Sequence, residues 1–203
     1  VEEAAGYRKR CLLKAAETFY KIDDAYWQQR VRKFEEEHVS WLSDYSLYIA
    51  LKARYENKPW FDWPAPLRHR DESALDEATR ALKSDIRQSV FEQFVFYTQW
   101  QEIREYAKEH DVELFGDMPI FVAHDSADVW AQKDNFLMNE DGDMEVVAGV
   151  PPDAFSETGQ RWGNPLYDWV YMQQNDFDWW RQRLTSQLKL FDMIRVEHFR
   201  GLQ

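Results

Sequence analysis

Cysteine is scarce in this chain of 203 residues, which contains only Cys11. One cysteine cannot form a disulfide within the chain, a pattern that fits a reducing compartment, and we predict a cytoplasmic location. Cationic residues are also few, because 25 Lys and Arg face 37 Asp and Glu, for a formal net charge of −12. No basic cluster stands out. We therefore expect no nucleic-acid partner, since phosphate binding needs clustered positive charge.

Long apolar runs are missing as well. No segment approaches the roughly 18 uninterrupted apolar residues of a membrane-spanning helix, so we expect no membrane partner. The chain begins with Val1 rather than Met and stops at Gln203, directly after a predicted strand. This pattern predicts a piece of a longer protein.

Aromatic residues, in contrast, are abundant: ten Trp, ten Tyr and thirteen Phe. Flat rings stack on the apolar faces of sugars, so the excess is compatible with a carbohydrate site. Bulky aromatics more often fill a hydrophobic core. Composition alone leaves both interpretations open.

The last eleven residues before Leu202 carry the most informative pattern. Met193, Ile194 and Val196 predict a short buried strand, and Arg195 and Glu197 fall on one of its faces. His198 would lie on the other face. The C-terminal ends of strands carry the catalytic groups of parallel α/β proteins, so this group is a candidate site. The alternative is a buried Arg–Glu pair that only closes a layer of the core.

The first half of the chain has helical periodicity. The spacing of apolar residues predicts helices over 7–38, with a break near Asp23-Asp24, and over 40–55, capped by Ser40. Ser73 and Asp76 have the spacing of a capping box and would begin a helix of about 35 residues. We expect this helix to pack on the outside of a sheet. Residues 1–110 are thus predicted to be a mostly helical subdomain.

Residues 112–122 change to a strand pattern that contains Gly116, Asp117 and Pro119. Asp117 lies near the C-terminal end of this strand, which favours a role in a functional site over a role as a helix cap. For Asp125, a cap for the following turn and a site remain equally open.

Residues 136–148 are typical of a β-hairpin with an Asp-Gly turn. The spacing of its acids does not match a calcium loop, and we expect no metal there. Residues 149–169 then predict a polar loop of about twenty residues, a length typical of lids and binding surfaces. Within it, acceptors, donors and a stacking ring come from Asp153, Gln160, Trp162 and Asn164. A helix capped by Asn175 or Asp176 should follow.

This order predicts an α/β fold. Strands 112–122 and 193–196 should be adjacent and parallel in a partial (β/α)8 TIM barrel with large helical and loop insertions, lacking strands at both ends. Residues 111–203 would supply the barrel strands, the hairpin and a substrate-covering loop.

Several long motifs resemble the 4-alpha-glucanotransferases, also called amylomaltases or disproportionating enzymes, of the alpha-amylase clan. The resemblance covers nearly the whole chain. It is carried by residues 34–45, 58–63, 117–130, 147–153, 158–169 and 195–201, the last of which reads Arg-Val-Glu-His-Phe-Arg-Gly.

The resemblance implies a β/α barrel enzyme that moves segments of α-1,4-glucans between maltooligosaccharides with retention, without a cofactor. Glu197 stands at the nucleophile position, where the family has Asp, and Arg195 would orient it. Asp117 matches the acid near the cleaved sugar. Substrate-binding roles are implied or expected for Asp153, Gln160, Trp162, Asn164 and His198. The acid/base Glu would follow Gln203, so these residues alone are expected to be inactive.

The Glu at position 197 leaves two alternatives to the transferase. One is a catalytically degenerate glucan-binding protein, and the other is an α-glucan hydrolase. Glu reaches about 1.5 Å further than Asp, whereas carboxyls of retaining enzymes stand about 5–5.5 Å apart.

Overall fold

The computed structural model describes residues 2–22, 24–154 and 156–202. Its helices are α1 (Glu2–Ile22), α2 (Ala25–Glu37), α3 (Leu42–Arg54), α4 (Ala65–Arg68), α5 (Glu72–Ala81), α6 (Lys83–Glu109), α7 (Ala127–Ala131), α8 (Trp169–Gln174) and α9 (Asp178–Leu190). Its strands are β1 (Phe115–Met118), β2 (Val147–Val150), β3 (Gln160–Pro165) and β4 (Met193–Val196). Short 3-10 turns span Trp60–Asp62, Lys133–Asn135 and Phe199–Leu202.

The helical first half agrees with the predicted pattern except at its caps. The break near Asp24 is confirmed: its side chain accepts hydrogen bonds from the backbone N–H groups of Tyr26 and Trp27 and so begins α2. The Ser40 and Ser73 caps are wrong. Trp41 precedes α3, and Ser73 lies inside the first turn of α5, where it cannot cap that helix.

The predicted long helix is two helices, α5 and α6, separated at Leu82, whose backbone angles (φ −105°, ψ 18°) leave the helical region. The expectation that it packs on the outside of a sheet is only partly correct: near its C-terminal end, Trp100 and Arg104 bind residues 190 and 192, just before β4. The main neighbours of α6 are other helices, α3 above all. Phe94 of α6 packs with Phe34 of α2 and Leu42 of α3 in one buried cluster.

The prediction of adjacent parallel strands is confirmed. β1 pairs with β4 in parallel, with Asp117 opposite Arg195 and Met118 opposite Val196. β1 is shorter than predicted because Pro119 has no N–H to donate and ends the ladder. Gly116 is required here, since a Cβ at this position would overlap the ring of Phe191.

The prediction that the second of these strands is buried is wrong. Along β4, exposed and half-buried residues alternate, and Met193 is 45% exposed. β1 alternates more sharply: Gly116 and Met118 are buried, while Phe115 and Asp117 are exposed.

The predicted hairpin over 136–148 is only partly correct. Met138 and Met144 form one antiparallel bridge around a turn in which Gly142 has a positive φ of 87°. However, β2 pairs antiparallel with β3. Much of the predicted loop 149–169 is therefore a second hairpin with its tip at 151–159, where Phe155 lies outside the described residues. A strand's partner depends on tertiary packing, which a turn signal does not specify.

The predicted caps of the next helix are also wrong. Asn175 follows α8, and α9 begins at Asp178 after Phe177, which has a left-handed backbone (φ 51°).

Half of the ten tryptophans are buried in the core, which agrees with the packing interpretation. The main cluster joins α3, the 60–63 turn, β1, α7, α8 and α9 around Trp60 and Trp130, both 0% exposed, and Met118, 1% exposed. It contains side chains from both sides of residue 110, and the division there remains a prediction. Among the described helices, none combines the length and apolar character needed to cross a membrane.

Candidate active site

The exposed face of the β1–β4 pair carries a group of three charged side chains. Arg195 donates from Nε to Asp117 Oδ1 at 3.2 Å and from Nη2 to Asp117 Oδ2. The same Nη2 donates to Glu197 Oε1 at 3.2 Å. Two carboxylates are thus first neighbours of one guanidinium nitrogen. The contact agrees with the expectation that Arg195 and Glu197 share a face.

This cluster is open to solvent. The exposed fractions of the side chains are 57% for Arg195, 45% for Asp117 and 44% for Glu197. The alternative of a buried Arg–Glu pair is therefore wrong in this structure. Asp117 raises the pKa of the Arg195 guanidinium through its hydrogen bond and charge, and Glu197 adds to the effect. The arginine therefore stays cationic.

An aromatic pair lies beside the cluster in sequence and structure. The chain leaves β4 through His198, which has a positive φ of 48°. The His198 ring meets Trp162 of β3 edge-on, with centroids 4.8 Å apart. Trp162 Nε1 in turn donates to Gln160 Oε1 at 3.0 Å. The fold thus brings Gln160, Trp162 and His198 together.

Asn164 and Asp153 lie at other points of the hairpin. The side-chain amide of Asn164 donates to the carbonyl of Val122 at 2.9 Å, so it holds the segment after β1. Asp153 lies in the tip, where its Oδ1 accepts the backbone N–H of Ser156 at 2.9 Å.

Asp125 neither caps the turn nor joins the charged cluster. Ser126 is the cap of α7. Asp125 accepts from the Tyr48 hydroxyl (2.6 Å), Lys52 Nζ (2.6 Å) and the Trp60 N–H (3.2 Å). Partial burial opposes its ionisation, but these donors prevail and lower its pKa. Its role is to connect α3 to the 60–63 turn.

No role was predicted for Tyr167 or Arg183, yet both hold the backbone that follows Asp117. Arg183 of α9 donates to the carbonyls of Pro119 and Ile120, and the Tyr167 hydroxyl donates to that of Ile120. A signal existed for Arg183, because Trp179 and Trp180 lie four and three residues before it and so share its side of the helix.

Within the part of the chain that the structure describes, no three His, Cys, Asp or Glu residues are arranged to hold a metal ion. The chemistry available is that of carboxylates oriented by a cation. Such a group can accept hydrogen bonds from hydroxyls, and Glu197 can attack an electrophilic carbon.

The chain is similar to a known family over its whole length. The family model described as 4-alpha-glucanotransferase matches residues 1–203. The chain is 48% identical to a 4-alpha-glucanotransferase of Thermus thermophilus over 170 residues, which are 84% of this chain and 34% of that protein. It is 40% identical to one of Clostridium butyricum over 197 residues, 97% of this chain and 40% of that protein.

A solved structure is also similar. The amylomaltase from Streptococcus agalactiae in complex with acarbose superimposes with a TM-score of 0.91 at 36% identity, covering 97% of this chain and 39% of that one. This similarity supports the α/β fold. The chain spans about a third to two fifths of the length of the relatives it matches. The matched family model, the identities and the shared fold agree, and the chain belongs to the 4-alpha-glucanotransferase family.

Proposed function

We propose that this protein transfers α-1,4-glucan segments between maltooligosaccharides and that Asp117, Arg195 and Glu197 form part of its active site. The observation that carries the proposal is the contact of both carboxylates with Arg195 Nη2 at the ends of two parallel strands. The relatives that match this chain are named 4-alpha-glucanotransferases. Starch- and glycogen-type glucans are the proposed substrates, and the cytoplasm is the proposed location.

The proposed reaction is a double displacement. Glu197 attacks the anomeric carbon, and its new C–O bond forms as the glycosidic C–O bond breaks. A carboxylic acid from another segment of the parent chain gives its proton to the leaving sugar oxygen. That group then takes the proton of an acceptor hydroxyl, whose oxygen displaces Glu197. Arg195 orients Glu197 through its hydrogen bond, and Asp117 would bind hydroxyls of the cleaved sugar.

We also propose that β1 and β4 are neighbouring strands of a (β/α)8 barrel, with residues 1–110 as a helical subdomain and 111–203 in the barrel. Phe115 and Met193 support this. They are opposite each other in the pair, on the same face as Asp117 and Arg195, and they are 59% and 45% exposed. Paired apolar side chains of this size favour a covered position, such as the filled interior of a barrel.

The β2–β3 hairpin is proposed to cover the sugar chain. Trp162 offers a ring next to His198, Gln160 supplies an amide, and Asp153 lies at the hairpin tip. Asn164 would act from the base of the hairpin. Transfer competes with hydrolysis, so a cover that excludes water favours transfer.

The first test is incubation of the full-length enzyme with maltotriose. Transfer yields glucose and longer oligosaccharides, hydrolysis yields only shorter products, and a degenerate protein binds without products. Glu197→Gln should lower turnover on the order of 10⁴-fold, because it removes the nucleophile. The control is Glu113→Gln, an exposed acid just before β1. Unchanged turnover in Glu197→Gln would rule out the proposed nucleophile.

The cover is tested with Trp162→Ala, which should raise the ratio of hydrolysis to transfer. The matched control is Trp27→Ala, since Trp27 is a partly exposed ring on α2. An unchanged ratio in Trp162→Ala would contradict the role of the hairpin as a cover.

A further inference from the structure

The segment that leaves β1 is held by side chains rather than by regular structure. Residues 119–122 are in neither helix nor strand. Pro119 has no N–H and stops the pairing of β1, so the carbonyls that follow need partners elsewhere. Side chains from two other elements and a connecting turn supply them.

Arg183 is the centre of this clamp. Its Nη2 donates to the carbonyl of Pro119 at 2.6 Å, and its Nη1 donates to that of Ile120 at 3.2 Å and to the Tyr167 hydroxyl at 3.1 Å. The Tyr167 hydroxyl donates to the Ile120 carbonyl at 2.6 Å. Asn164 holds the Val122 carbonyl at 2.9 Å. The backbone is thus tied at residues 119, 120 and 122.

The chemistry of the clamp requires an arginine. Arg183 takes part in none of the ion pairs between described residues, so its donors are directed to neutral oxygens. The Trp179 and Trp180 rings lie 5.2 Å from its Cζ and support the planar group. Only a guanidinium presents a fixed fork of donors to several acceptors. Burial, against the effect of Arg183, raises the pKa of Tyr167 to about 12, so its hydroxyl stays a donor.

The clamp connects the exit of β1 to α9, the helix that leads into β4. Asp117 lies two residues before Pro119. α9, which carries Arg183, ends at Leu190, and β4 with Arg195 begins at Met193. We propose that Arg183 is a positioning residue that fixes Asp117 relative to Arg195 and Glu197, an inference that rests on the proposed function. A displacement of about 1 Å at a reacting group costs about a hundredfold in rate.

The experiment compares Arg183→Met with Arg183→Lys in the full-length enzyme on maltotriose, well below the melting temperature. Arg183→Met should lower kcat by about 10- to 100-fold with a smaller change in KM. Lys can restore one of the backbone bonds and should recover part of kcat. The control is Arg181→Met on the same helix, because Arg181 is exposed and pairs only with Asp176 and Asp178 among the described ion pairs. It should retain wild-type kcat.

A double-mutant cycle separates positioning from general stabilisation. If Arg183 acts through Asp117, adding Arg183→Met to Asp117→Asn should cause less than about a twofold further loss. The same fold loss in both backgrounds, or wild-type kcat in Arg183→Met, would overturn the positioning role and leave the proposed function intact. Full activity of Asp117→Asn alone would overturn both.

If Arg183→Met does not fold, Tyr167→Phe can replace it in the same double-mutant cycle with Asp117→Asn. It removes only the hydroxyl that donates to Ile120 and retains the buried ring. A smaller loss of kcat is expected, again absent in the Asp117→Asn background, and an equal loss in both backgrounds would argue against positioning.

Discussion

The two faces of β1 have opposite environments although they alternate along one short strand. Met118 is 1% exposed and packs in the cluster around Trp60 and Trp130. Its neighbour Asp117 is directed to the other face, where it meets Arg195 in solvent. Hydrophobic packing stabilises one face of the strand, and the contacts of the other face are ion pairs. Because exposed ion pairs add little to stability, we infer that the strand can carry chemistry on one face while the other stabilises the fold.

The largest effect on stability should come from the buried face. Trp130→Ala removes a fully buried ring and its hydrogen bond to the Leu67 carbonyl (2.9 Å), and should cost about 3–5 kcal/mol. Arg195→Met on the exposed face should change the free energy of unfolding by less than about 1 kcal/mol. Urea unfolding of both variants measures the difference. Similar losses would show that the two faces are not energetically separate.

The next effect concerns the exposed face alone. Glu197→Asp restores the residue that the family resemblance implies and shortens the reach by about 1.5 Å. We expect turnover of maltotriose to rise by up to about a hundredfold, because a misplaced nucleophile costs that much, with no change in melting temperature. A slower variant would mean that the backbone, with His198 at positive φ, is adjusted to Glu.

Two histidines allow a buried and an exposed group to be compared in their effect on the pH dependence of stability. His38 and His110 each place Nδ1 near the carbonyl four residues earlier, at 2.9 and 2.8 Å, and each ring lies tilted against the ring of that residue. His38 is buried, whereas His110 is exposed. Burial lowers the pKa of His38, against the hydrogen bond to the Phe34 carbonyl, with smaller opposed effects of Lys189 and Glu37.

The sign of the effect follows from this lowered pKa. Below about pH 6.5, His38 binds a proton in the unfolded chain but stays neutral in the folded protein. The free energy of unfolding therefore falls as pH drops toward the lowered pKa of His38. Melting temperatures at about pH 7.5 and 5.5 should differ less in His38→Phe than in wild type. His110→Phe is the control and should behave as wild type. An unchanged difference in His38→Phe would contradict the role of burial.

The smallest effect is expected at an exposed ion pair with no link to either face of β1. Lys33 and Glu37 of α2 lie 3.6 Å apart with side chains 74% and 54% exposed. Lys33→Ala should change stability by less than about 0.5 kcal/mol, measured by urea unfolding. A loss above 1 kcal/mol, by the same measure, would show that solvent-exposed charge contributes more here than the comparison assumes.

Local patterns predicted the features that depend on neighbours in the chain. Asp24 begins a helix because its side chain reaches N–H groups two and three residues on. The parallel neighbours β1 and β4 followed from apolar runs separated by a helix, and their strand-end acids followed from position. Caps failed at Ser40 and Ser73, where other residues set the helix start. The site roles of the hairpin residues remain predictions.

Most helices, the two parallel strands and the acids at the ends of these strands were predictable from the sequence, since they depend on periods of two and 3.6 residues. The sequence did not predict that β2 pairs with β3, that the rings of Trp162 and His198 are in contact, or that Arg183 binds the backbone 63 residues before it. The physical reason is that each such contact depends on packing between distant elements. No local period encodes which elements meet.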